Sequence, residues 1–294
     1  VGMLGIAVII AAKAGGVGVV VAHAAEAGKL KFLPEANLRD ILAFIGAAVT
    51  LMLGSIPQQD VFQRVMSAKD EKTAVRGSIF GGVLYFFFAF IPMFLAYSAF
   101  VMMPDIAKGW AEADTQMILP NLVLSEGIPL IAQVMFFGAL LSAIMSTASG
   151  TLLAPSVTFT ENILKGFMPH MSDKRFLWTL RAVVCGFAVI VTLFALKSEK
   201  SIYDMVSGAY QVPLVGAFVP LVFGLYWQRA NTNGAMFSIV LGLSSWLLVT
   251  YMIPDSIVPP QLVGLGLALF GMIAGSLLFP APKHGHKVQH QAAH

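Results

Sequence analysis

Along the chain, apolar residues gather into long runs separated by short polar stretches. At about 20 apolar residues per membrane crossing, eight runs qualify as spans. They cover residues 1–22, 38–57, 76–103, 128–164, 176–196, 203–227, 233–253 and 260–279. The first is interrupted by Lys13 and by "GGVG" at 15–18. The fourth is too long for one crossing, and its pattern predicts a short outer helix beginning near Pro129, followed by a long spanning one. The expected fold class is all-α, a polytopic membrane protein. Its transmembrane core occupies 1–280 and a His-rich tail occupies 281–294.

Composition agrees with that pattern. Of the 294 residues 57% are hydrophobic and only 11% charged, against about 25% charged in soluble domains. A net charge of +3 without a basic, aromatic-interleaved stripe gives no reason to expect nucleic acid; the expected surroundings are a lipid bilayer. The single cysteine, Cys185, lies in an apolar run and is expected to be a small buried packing residue, with no intrachain disulfide. The chain opens "VGMLGIAVII", with no initiator Met and no basic segment ahead of an apolar core, which is not a signal peptide. It reads as a chain that starts part-way through a helix.

Charge also orients the spans. The loops after every second span carry ten Lys or Arg against five acids, with their flanks. The opposite loops carry six bases against ten acids, among them Asp105, Glu112, Asp114 and Glu126 around Lys108 in one loop. By the Lys/Arg bias the first face is cytoplasmic, and with eight spans the C-terminus is cytoplasmic too.

Polar atoms inside such spans need a reason, because they are costly in hydrocarbon without partners. Three clusters occur. In "GSIPQQD" (54–60), Gly54 and Pro57 weaken the helix just before Gln58 and Gln59; this is either a break lining a watery cavity or simply the end of the span. In "SIYDMVSGAYQVPLVGAFVP" (201–220), Ser207, Tyr210 and Gln211 share a face, and Pro213 removes the amide that would bond back to the carbonyl of Ala209. That predicts a kinked helix with a polar face, or a kink satisfied by its neighbours.

The third cluster, "GALLSAIMSTASGTLLAP" (138–155), holds Ser142, Ser146, Thr147, Ser149 and Thr151. Ala143, Ser146, Thr147 and Gly150 recur at spacings of three and four, so they share one helix face. Hydroxyl oxygens, with any carbonyl left free nearby, make a hard neutral surface that suits a small monovalent cation. The same residues at the same spacing are also how membrane helices pack closely, and from the stretch alone packing is the simpler explanation.

Three segments resemble the sodium:solute symporter family. "GSIPQQDVFQRVMSAKDEKTAVRGS" (54–78) is similar to the family's span-to-loop segment. "AIMSTASGTLLAPSVTFTENIL" (143–164) looks like the helix that bears its sodium site. "FGLYWQRANTNGAMFSIVLG" (223–242) is similar to its signature of a basic residue followed by Asn-Gly-Ala. The resemblance implies an inverted-repeat fold of five plus five helices, here partial, with broken helices meeting at the midplane. The eight spans would be the last helix of the first repeat, the whole second repeat and two further helices. The opening helix of the first repeat would then precede residue 1.

The resemblance also implies sodium ligands at Ala143 through its carbonyl and at Ser146 and Thr147 through their hydroxyls, which reverses the preference for packing. Ser149 is a possible second ion site, although Gly150 stands where many members have a hydroxyl. Gln58, Gln59, Tyr210 and Gln211 are the expected substrate contacts. The function so implied is secondary active symport, with sodium as the coupling ion. The solute is a small organic molecule such as an amino acid, a quaternary amine or a carboxylate, carried inward across a plasma membrane of bacterial inner-membrane type. A proton-coupled carrier of the same fold and a transporter-like sensor domain are the alternatives. Nothing points to an enzyme, since no Ser–His–acid set or metal-ligand spacing occurs. Lys13 is expected to snorkel from its helix, and the four His of the tail are expected to be solvated.

Overall fold

A computed structural model describes residues 2–103, 115–168, 172–198 and 200–280. Asp105, Lys108, Glu112, Asp114, His170 and the His-rich tail lie outside the described residues. Among the described residues every regular element is a helix. Six helices among the described residues are long and apolar enough to cross a membrane, or seven if one bent pair forms a single span.

That bent pair is α1 (Gly2–Lys13) and α2 (Val17–Glu26), set at 78°. The break falls at the glycines that interrupt the first apolar run: Gly15 and Gly16 have φ of 84° and 111°, values that side chains with a Cβ rarely adopt. α3 (Leu38–Gly54) has 17 residues, at the short end of what a crossing helix needs. α4 (Gln59–Met66) is a short amphipathic helix. α5 (Glu71–Met102) starts on Asp70, whose carboxylate accepts from the amide of Thr73 at 2.7 Å. These bonds, the Thr73 amide first, hold its carboxyl below the usual carboxylate range.

After α6 (Ile118–Leu124) comes α7, one continuous helix over Leu130–Phe167 that includes a π-helical turn at Thr160–Leu164. The expected division of this run is therefore absent. Pro129 caps the helix instead of beginning a separate outer piece, and the extra length is accommodated in a single 38-residue rod. α8 (Asp173–Lys197) has no buried residues, and its Cys185 is exposed. The expectation of burial for Cys185 is corrected: a helix that meets hydrocarbon on many sides presents apolar residues outward as readily as inward.

The chain divides into two compact units. In the first, Val1–Phe32 with Phe62–Ile202, α1 packs on α5 and α7, α2 on α5, and α8 on α7. Ile6, Ile10, Leu95, Leu122 and Phe136 form its buried core. The second comprises Leu33–Val61 and Tyr203–His294. It contains α9 (Ile202–Tyr226), α10 (Thr232–Met252) and α11 (Pro260–Leu278), and α3 packs against the middle of α9 and against α11.

α10 and α11 form a close hairpin because their shared face is built of small residues. Gly234, Ser238, Gly242 and Ser245 on α10, and Gly264, Ala268, Gly271 and Gly275 on α11, are all buried. A Cβ on Gly242 would run into the carbonyl of Val215 on α9. In lipid, helix association rests on such close packing, since no water remains to be expelled between helices. At one end of the hairpin Asn231 caps α10 by accepting from the amide of Gly234, and its amide nitrogen donates to the carbonyls of Ser276 and Phe279, each at 3.1 Å. Asn233 also donates to the carbonyl of Phe279. Asn231 and Asn233 thus work as a clamp that ties the start of α10 to the end of α11.

Candidate functional site

The hydroxyl cluster sits in the middle of α7. Ser142, Ala143, Ser146, Thr147 and Ser149 are all exposed, and Gly150 is half-buried. The helix is regular through this stretch, so the carbonyl of Ala143 accepts the usual bond from four residues on and keeps its second lone pair.

The side chains separate this stretch from its neighbours. Many other hydroxyls in the spans fold back onto the carbonyl three or four residues earlier. On α7 itself Thr151 donates to Thr147, Ser156 to Leu152, Thr158 to Ala154 and Thr160 to Ser156, at 2.6 to 3.1 Å. Thr50, Ser98, Thr192 and Thr250 do the same on other helices. Ser142, Ser146, Thr147 and Ser149 make no such bond, nor any other hydrogen bond among the described residues. Four consecutive hydroxyls on or beside one exposed face therefore keep their oxygen lone pairs available. The oxygens these residues offer are hydroxyls and a backbone carbonyl, all of them neutral groups.

A further group stands beside them. The guanidinium of Arg64, on α4, lies so near α7 that a Cβ placed on Gly150 would be 3.0 Å from its Nη2. In the sequence Arg64 is one base of the segment 54–78; its place beside Gly150 is seen only in the structure.

The residues expected to meet substrate lie in the second unit. α3 stops at Gly54, a turn covers 55–58, and α4 starts at Gln59, so the break at "GSIPQQD" is a change from one helix to another. Gly54 is buried against the carbonyl of Tyr210 with no room for a Cβ, which brings the end of α3 onto α9 beside Tyr210 and Gln211. Gln58 is half-buried and Gln59 exposed. Tyr210 and Gln211 are half-buried, and Oε1 of Gln211 accepts from Nε1 of Trp246 at 3.0 Å. Because the indole nitrogen only donates, this bond fixes the amide orientation and leaves its two N–H donors for another partner. Trp246 was not singled out in the sequence, where a tryptophan in an apolar span carries no signal. The kink expected at Pro213 is a π-helical turn, Leu214–Phe218, that leaves α9 continuous.

These features define a multi-span helical membrane protein with an open, neutral oxygen face on one helix and an amide-bearing face on another. The model of the sodium:solute symporter family matches residues 1–242, and the chain belongs to that family. The chain is 29% identical over 228 residues to the high affinity choline transporter 1 of Homo sapiens, covering 72% of this chain and 37% of that protein. It is 28% identical over 268 residues to the sodium/proline symporter of Escherichia coli, covering 87% of this chain and 52% of that protein. The chain thus spans about half the length, or less, of these curated relatives.

Proposed function

We propose that the protein works as a sodium-coupled symporter that carries a small organic solute into the cell. The observation that supports this most is the set of hydroxyls on α7 that make no hydrogen bond among the described residues, although neighbouring hydroxyls on the same helix fold back. In this proposal the Ala143 carbonyl and the Ser146 and Thr147 hydroxyls hold sodium, and Ser149 stands by as part of a possible second ion site. Such ligands match a monovalent cation because no carboxylate charge is needed to offset it. Gln58, Gln59, Tyr210 and Gln211 are proposed to meet the solute, with the Trp246 bond presenting the Gln211 N–H groups toward it. The relatives are named for choline and proline; a quaternary amine, an amino acid or a carboxylate is the proposed solute class.

Coupling then follows from differential affinity: sodium binds the outward-open state better than the others and shifts the equilibrium toward solute uptake. The Lys/Arg bias of the loops supports a cytoplasmic C-terminus, and a plasma membrane of bacterial inner-membrane type is the proposed location. The test is uptake of labelled proline, choline and a carboxylate panel into vesicles holding the protein expressed from its whole gene. An inward sodium gradient should drive accumulation of at least one solute, while a proton gradient alone should not. Accumulation driven by protons without sodium would overturn the proposal.

A further inference from the structure

Arg64 has no place in the scheme above, yet its guanidinium approaches α7 at Gly150. Gly150 is three and four residues beyond Thr147 and Ser146, on the same face, where neighbouring Cβ positions lie about 5–6 Å apart. The guanidinium therefore stands within roughly one helical turn of the two hydroxyls. α7 runs from the acidic loop before it toward the Lys/Arg-rich loop after it, so Arg64 lies on the basic-loop side of the hydroxyls. Its backbone carbonyl accepts from the hydroxyl of Ser67 at 2.8 Å, while its guanidinium is the group that reaches α7. A Cβ at Gly150 would lie 3.0 Å from Nη2, so the guanidinium sits close against the helix at this glycine.

We propose that Arg64 is a positioning residue that opposes sodium at the inner end of the hydroxyl face. Its fixed positive charge weakens sodium binding and speeds sodium release on that side. The proposal rests on the reading that Ser146 and Thr147 hold sodium. Two unit charges less than about 10 Å apart repel appreciably at the effective dielectric of a protein site, but only weakly in bulk water. A guanidinium beside an ion site therefore cannot be neutral to the ion, and removing its charge has a definite sign.

The experiment is radiolabelled sodium binding and dissociation on the protein expressed from its whole gene, with Arg64→Gln, Arg64→Met, Arg64→Lys and Thr147→Val beside the wild type. Expected is sodium affinity about tenfold tighter, with slower dissociation, in Arg64→Gln. Arg64→Lys should stay near wild type because it keeps the charge. Arg64→Met preserves a long stem for packing and must show the same tightening if Arg64→Gln does not fold. Unchanged or weaker sodium affinity in the neutral variants, while Thr147→Val still abolishes binding, overturns the role of Arg64 and leaves the ion site standing. Full binding in Thr147→Val overturns the ion site, and the proposal with it.

Discussion

Two faces of this molecule use the same small residues at the same helical spacing and arrive at opposite ends. On α10 and α11, Gly, Ala and Ser are buried against one another. On α7, Ala143, Ser146 and Thr147 are exposed. The hydroxyls differ as well. Ser245 folds back onto the carbonyl of Leu241 at 2.6 Å, and Ser238 and Ser276 are enclosed without partners in the hairpin. On α7 the hydroxyls of Ser146 and Thr147 neither fold back nor are enclosed. A stripe of small residues is thus a notch whose purpose depends on what fills it: a facing helix in one case, an ion in the proposal for the other.

The largest effect expected from breaking this contrast is on transport. Replacing Ser146 or Thr147 by Ala or Val should reduce sodium-driven uptake by at least about tenfold each, the scale of losing one bond to a charged group. Thr147→Ser, which keeps the oxygen, should retain most of it. Initial uptake rates against sodium concentration check both.

Next comes the packed face. Gly242→Val forces a branched side chain into the carbonyl of Val215, and overpacking of this kind costs about 1–3 kcal/mol or more. The expected result is a lower thermal unfolding temperature and less folded protein in detergent, with sodium affinity preserved in what does fold. Breaking the bond between Trp246 and Gln211 with Trp246→Phe removes about 1 kcal/mol of orientation. It should raise the KM for the solute several-fold while the sodium dependence stays put, as a solute titration at fixed sodium would read.

The smallest effect belongs to Asp70. Its carboxyl is held below its ordinary value by the cap on α5, so the contribution of the cap is fully present above the ordinary carboxylate range and is lost as pH falls through the lowered value. Between pH 6 and 8 Asp70→Asn should leave uptake nearly unchanged. A pH series of unfolding temperatures should separate it from the wild type only above the acidic range.

Much of this fold was legible in the apolar runs, because a crossing helix must satisfy its backbone within itself and cover about 30 Å with apolar side chains. The break in the first run followed from Gly15 and Gly16, and the π turn of α9 begins just after the Pro213 that marked it. The continuity of α7 was not legible: a proline at the cap position and a proline at an interruption look alike in sequence, and Pro155 sits within the helix without ending it. The burial assigned to Cys185 failed because apolar character does not separate a core from a lipid-facing surface. At the site, spacing placed Ser146 and Thr147 on one face but could not say whether that face is covered or whether its hydroxyls fold back. The nearness of Arg64 to Gly150 and of Trp246 to Gln211 joins residues 86 and 35 positions apart, and no local pattern encodes such pairs.

The central claim is that the open hydroxyls of α7 are an ion site and those of the α10–α11 hairpin are packing. It is tested most directly by equilibrium binding of radiolabelled sodium to the protein expressed from its whole gene, with unfolding temperature measured on the same samples. Saturable binding that is lost in Ser146→Ala and Thr147→Ala at an unchanged unfolding temperature, and kept in Ser245→Ala, is the expected result. Binding that persists in both α7 variants, or that falls only in step with their stability, would contradict the claim and return that face to helix packing.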